Sequence, residues 1–197
     1  RGEGIIGRKL PQSETRLVRS LTLLCALTLS LSVVASADDA TSKEPKTKLK
    51  SAKLPDTRNV HVAGPIYLAG QPSKAALKEL ADRGVKTIIS LRHPDEERWD
   101  EKQACEELGL QFHRYQISSP SDINKKLVDS IRKYLVAAKK DSGVLLHCAS
   151  ANRVGAIWLA HRVKDAGLTL AEATAEAKEV GLVAPQLKTQ AIKYLDE

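Results

Sequence analysis

The chain has 197 residues, with 31 Lys and Arg against 24 Asp and Glu and a formal net charge of +7. That length holds one ordinary domain plus extensions. A single Phe leaves no aromatic platform for stacking bases, so the positive charge reads as solubility rather than nucleic-acid binding.

Residues 1–15 fit no signal peptide, and the chain carries no Met; we expect them to lie upstream of the true start, near Val18. Arg16 and Arg19 then precede the apolar stretch Leu21–Val34, and Ala35-Ser36-Ala37 offers a small-x-small cleavage pattern. Residues 1–37 thus read as an upstream extension and an export signal, with a periplasmic or secreted product. The apolar stretch is short for a membrane span, so no stable insertion is expected after cleavage. Leu24 before Cys25 argues against a lipid anchor. Without residues 1–37 the chain keeps 26 basic and 22 acidic residues, and Thr41–Lys53 alone has five Lys against one Glu. Residues 38–58 therefore read as a solvated, disordered Lys-rich linker, and residues 59–197 as the folded domain.

In that domain short apolar runs alternate with helical patterns. Ile66–Ala69 is strand-like and stops at Gly70. Pro72 and Ser73 open a helix through Asp82, with Leu77 and Leu80 inward and Gly84 as its stop. Val85–Leu91 is a continuous apolar run, as in a strand covered on both faces. A charged helix is predicted from about Asp95 to Leu108, and a strand over Leu110–Ile117. Pro120-Ser121-Asp122 is expected to cap a long helix carrying Ile123, Leu127, Ile131, Tyr134 and Leu135 on one face. Val144–His147 is the last strand. Val154, Ile157, Trp158 and His161 share a face of the next helix, and two more helices end the chain. Strands alternating with helices imply an α/β fold, its mainly parallel central sheet flanked by helices on both faces. Ligands of such sheets bind beyond the carboxyl ends of the strands. Arg92–Glu97, Ser118–Asp122 and the loop after His147 all lie at such ends.

That loop, His147-Cys148-Ala149-Ser150-Ala151-Asn152-Arg153-Val154-Gly155, carries the chemistry. Between a buried strand and a helix N-terminus, backbone N–H groups converge and the helix dipole favours an anion. A cysteine there has its thiolate stabilised by those groups and by Arg153, which makes it a nucleophile. The Arg153 guanidinium can clamp two oxygens of an oxyanion. Cys105, beside Leu108 on a predicted helix, reads as a small apolar core residue, although a Cys105–Cys148 disulfide is the alternative in an oxidising compartment.

The segments Tyr67-Leu68-Ala69-Gly70-Gln71-Pro72-Ser73, Ile88-Ile89-Ser90-Leu91-Arg92 and His147–Gly155 occur in order. Over residues 60–165 or so they resemble the bacterial phosphatase-like domain found beside beta-lactamase-like hydrolases, within the dual-specificity and tyrosine phosphatase superfamily. The resemblance implies a protein-tyrosine-phosphatase-like fold and a metal-independent reaction through a phosphocysteine. Cys148 is then the nucleophile and Arg153 the oxyanion clamp. One departure bears on the reaction. Tyrosine phosphatases place five residues between Cys and Arg and usually a hydroxyl residue after the Arg. Here four intervene, and Val154 follows. A four-residue gap resembles rhodanese-type sulfurtransferases, where the cysteine carries a persulfide. A weakly catalytic phospho-ligand binding module is the third reading.

Ala149, Ser150, Ala151 and Asn152 are the candidate anion-binding residues. His147 is expected to support the loop through its ring. Asp122 is the candidate general acid for the leaving oxygen, its alternative role being the helix cap. Arg92 either binds substrate or pairs with Glu96 or Glu97. His61, His93, His113 and His161 are scattered without metal-ligand spacing, and the glycines form no nucleotide-binding fingerprint, so no cofactor or metal is expected. The expected partner is a phosphorylated protein or a small phosphate ester.

Overall fold

The computed structural model describes residues 47–197, and the upstream extension and signal segment lie outside them. Six strands form one sheet in the order β1-β2-β3-β6-β4-β5: β1 (Lys50–Ser51), β2 (His61–Ala63), β3 (Ile66–Ala69), β4 (Val85–Ser90), β5 (Gln111–Arg114) and β6 (Gly143–His147). The four strands from β3 to β5 are parallel, whereas β1 and β2 add an antiparallel edge. The described residues form six helices: α1 (Lys74–Asp82), α2 (Glu101–Glu107), α3 (Lys125–Ala137), α4 (Asn152–Lys164), α5 (Leu170–Val180) and α6 (Pro185–Leu195). Alternation along the strands splits the core in two. In β6, Leu145 packs with Leu77 and Leu80 of α1 and Cys105 of α2, whereas Val144 and Leu146 pack with α3, α4, α5 and α6.

Helix α4 differs from the one-faced pattern expected of it. Every residue from Val154 to Arg162 is buried, because α3, α5 and α6 enclose it on the sheet. A helix enclosed in this way can be apolar all round. Even its polar positions are accommodated: Arg162 and the Trp158 indole both donate to the Glu176 carboxylate.

Two boundaries differ from the sequence reading in ways that shape the site. The helix expected over Asp95–Leu108 is broken into a short 3-10 turn, Pro94–Glu96, and α2. Asp100 stops continuation by capping α2, accepting from the Gln103 N–H at 2.9 Å. The helix expected to start at Asp122 starts instead at Lys125, capped by the Asn124 side chain. Asp122 closes a separate 3-10 turn, Pro120–Asp122.

The expected linker also ends earlier than residue 58. Residues 47–58 lie on the domain: β1 pairs with β2, Leu49 and Leu54 are buried, and Arg162 donates to the Thr47 carbonyl. Lysine-rich composition hid this because only Leu49, Leu54 and the half-buried Ala52 supply apolar contacts while the lysines are exposed.

Candidate active site

Cys148 follows β6 directly, at the carboxyl end of the innermost parallel strands, and is 1% exposed. The loop after it is held from outside by its carbonyls. The Ala149 carbonyl accepts from the Gln71 N–H at 3.2 Å and the Ser150 carbonyl from Asn59 Nδ2 at 2.8 Å. Gly181 packs against Ser150 and Ala151. Peptide groups whose carbonyls are turned outward present their N–H groups to the interior of the loop. Ala151 turns the chain into α4 with φ 70°, a left-handed conformation uncommon for a residue with a Cβ, and supplies no side chain to cap the helix. The first N–H groups of α4 thus remain for an anion.

Arg153 is fixed by the elements around it. Its Nη1 donates to the carbonyls of Leu91 and Ile117, at 3.1 and 3.0 Å. The Glu96 carboxylate takes Nη1 at 2.7 Å and Nη2 at 2.6 Å. A guanidinium has five N–H groups, so these contacts leave the Nε–H and one Nη2–H, the edge of a second fork. Cys148 is among the groups whose interaction raises the Arg153 pKa, after Glu96. Arg153 in turn holds Glu96 down to about 2, well below the usual carboxylate range. The break after Pro94–Glu96 is what brings Glu96 here; sequence reasoning offered it only as a partner for Arg92.

The other predicted residues are placed unevenly. Ser150, Asn152 and Arg153 line a cleft of about 370 Å³ with Ser118, Ser119, Pro120 and Leu187. Asn152 also braces the loop from the far side, where its Oδ1 accepts from the N–H groups of Val183 and Ala184 and ties the α5–α6 connection to it. His147 is fully buried behind Cys148 and held strongly neutral, down to about 3, chiefly by burial. Arg92 is buried and engaged by the Gln71 side chain and the Glu96 carbonyl, with its Nε 3.7 Å from the Glu96 carboxylate. Asp122 turns its carboxylate into its own loop, accepting from the N–H groups of Ser118 and Ser119 at 2.8 and 2.7 Å. Those bonds, Ser119 first, lower its pKa, which favours the ionised form over a proton donor. Cys105 is free, buried, and pushed up to about 12 by burial and by Glu101. Cys148 is likewise free, so the two form no disulfide here. Val154 is buried and apolar. Among the described residues no group of three or more His, Cys, Asp or Glu is arranged to hold a metal ion.

Solved structures share this architecture. TpbA of P. aeruginosa is 21% identical and superimposes with TM-score 0.60 over 78% of this chain and 91% of its own. The fold is protein-tyrosine-phosphatase-like. The core catalytic domain of the PP-IP phosphatase SIW14 from S. cerevisiae has the same fold, at 19% identity and TM-score 0.60 over 75% of this chain and 90% of its own. A Neisseria meningitidis protein, 27% identical, matches with TM-score 0.53 over 66% of this chain and 92% of its own. No family model and no curated protein sequence matches the chain.

Two polar residues of the site escaped the sequence reading. Glu101 is a charged residue in the first turn of a helix, where acids are common for dipole reasons alone, so its sequence context carries no signal. Asn59 sits in the segment expected just at the domain boundary, and only its left-handed backbone, φ 53°, marks it as special.

Proposed function

We propose that this chain is a cysteine-dependent phosphatase acting on a phosphorylated protein or a small phosphate ester through a phosphocysteine. The observation that carries the reading is Arg153, anchored by Glu96 with part of its guanidinium left uncommitted, in one loop with the free, buried Cys148 at a strand's carboxyl end. The Cys148 thiolate attacks phosphorus, forming an S–P bond as the ester P–O bond breaks. Loop N–H groups and Arg153 hold the non-bridging oxygens. Water then attacks phosphorus, the S–P bond breaks, and the thiolate and inorganic phosphate are released. The fold supports this reading: TpbA has been solved in complex with phosphotyrosine, and SIW14 is described as a PP-IP phosphatase. So do the segments that resemble the domains found beside beta-lactamase-like hydrolases. An exported location belongs to the same proposal, resting on Leu21–Val34 and Ala35-Ser36-Ala37.

The leaving oxygen needs a proton, and Asp122 is turned away from that role. Aryl esters, whose leaving groups depart without one, are therefore the better substrates. The four-residue gap favours a second reading, transfer of sulfane sulfur through a Cys148 persulfide, since a loop with one N–H fewer grips a tetrahedral anion less fully. A side-by-side assay for aryl-phosphate hydrolysis and thiosulfate:cyanide transfer separates the two. We expect slow hydrolysis that Cys148→Ser abolishes. Brisk sulfur transfer with no hydrolysis of any phosphate ester would replace the phosphatase reading.

A further inference from the structure

Behind the Cys148 loop lies a buried acid that the proposed reaction does not consume. Glu101 and His147 are 1% and 0% exposed, and Oε1 of the one lies 3.2 Å from Nε2 of the other. The same Oε1 accepts from Gln71 Nε2 at 2.9 Å, and Gln71 in turn accepts from Arg92. Neither ring nitrogen of His147, nor Oε2 of Glu101, has an aligned hydrogen bond. The His147 ring also lies against the backbone of Cys148.

A carboxylate this deep keeps a proton or finds a counter-charge. The charged and titratable groups facing the pair are Arg92 beyond β4, Arg114 from β5, Glu97 before α2, Cys105 within α2 and Arg153 from α4. Burial dominates them. It raises Glu101 to about 7 and lowers His147 to about 3, so below neutrality the pair is a carboxylic acid against a neutral imidazole. As pH rises through that value the acid loses its proton and a net negative charge is buried one residue from the cysteine. A like charge there disfavours the thiolate.

We propose that Glu101 is a positioning residue for Cys148, its buried carboxyl seating the His147 ring against the cysteine backbone. This rests on Cys148 as the nucleophile but not on phosphoryl transfer as its reaction. The test is the rate of Cys148 alkylation by iodoacetamide against pH, on the full chain and its Glu101→Gln variant. Glutamine keeps the shape and a donor N–H but cannot ionise. The wild-type profile should be shallower and displaced to higher pH, with alkylation near pH 7.5 slower than in the variant by about threefold or more, on a scale of tenfold per pKa unit. Superimposable profiles would overturn the proposal. Should Glu101→Gln not fold, nitrogen NMR of His147 in the unaltered chain decides. The ring should stay neutral while its nitrogen signals follow an ionisation at about 7, and signals flat through that pH would overturn it. Absence of aryl-phosphate hydrolysis in the unaltered chain, alongside distinct alkylation profiles, would count against the phosphatase reading and leave this one standing.

Discussion

Asp122 shows how a side chain in the right loop can serve the wrong end of it. Its segment borders the cleft through Ser118, Ser119 and Pro120, yet its carboxylate is spent on two backbone N–H groups. Asp122→Ala should therefore lower stability by about 1 kcal/mol, the usual net worth of hydrogen bonds of this kind. Aryl and alkyl phosphate esters should slow by the same factor in kcat/KM. If alkyl esters slow far more, Asp122 swings inward and is the acid after all. Glu96 makes the complementary case. Its pKa is lowered by Arg153, so its contribution to stability is present above its ordinary value of 4.5 and is lost as pH falls toward about 2. A pH titration of the melting temperature should show this acid-side loss, and Glu96→Gln should flatten it. An unchanged acid limb in that variant would assign the loss to other carboxylates.

At the scale of elements, the loop depends on how closely α4 meets α5 and the segment after it. A Cβ on Gly155 would stand 2.7 Å from the Ala177 carbonyl and 2.8 Å from Leu182 Cβ. Backbone cannot swing aside like the end of a flexible side chain. The Gly155→Ala variant should then lose about 1–3 kcal/mol by overpacking, measured by denaturant unfolding. Because Asn152 ties Val183 and Ala184 to the same loop, hydrolysis should fall along with stability. A variant of native stability and activity would show that the helices part freely here. The break between Pro94–Glu96 and α2 acts on the same scale. One continuous helix could not direct Glu96 to Arg153 and also bury Glu101 against His147, whereas two short pieces meeting at an angle do both.

For the molecule as a whole, the edge of the sheet decides where the domain begins. Removing residues up to 58, the boundary that composition suggests, would strip Leu49 and Leu54 from the core and expose the β2 edge. Each buried leucine is worth about 1.5–3 kcal/mol, so a chain of residues 59–197 should melt well below one of residues 47–197. Equal melting temperatures would return residues 47–58 to the role of a tether. The sequence alone determined the α/β class, the succession of strands and helices along the chain, and the Cys148–Arg153 loop, because periodicity, glycine stops and a nucleophile at a strand end are local signals. The β1–β2 edge was not legible, since its pairing partners are set by register between segments about ten residues apart. Nor were the partners of the site. Glu96, Glu101, Gln71 and Asn59 look in sequence like ordinary surface polar residues, and it took the packing of separate segments around one loop to gather them at it. That choice belongs to tertiary structure: desolvation and hydrogen-bond geometry are properties of where the chain crosses itself, not of any stretch along it.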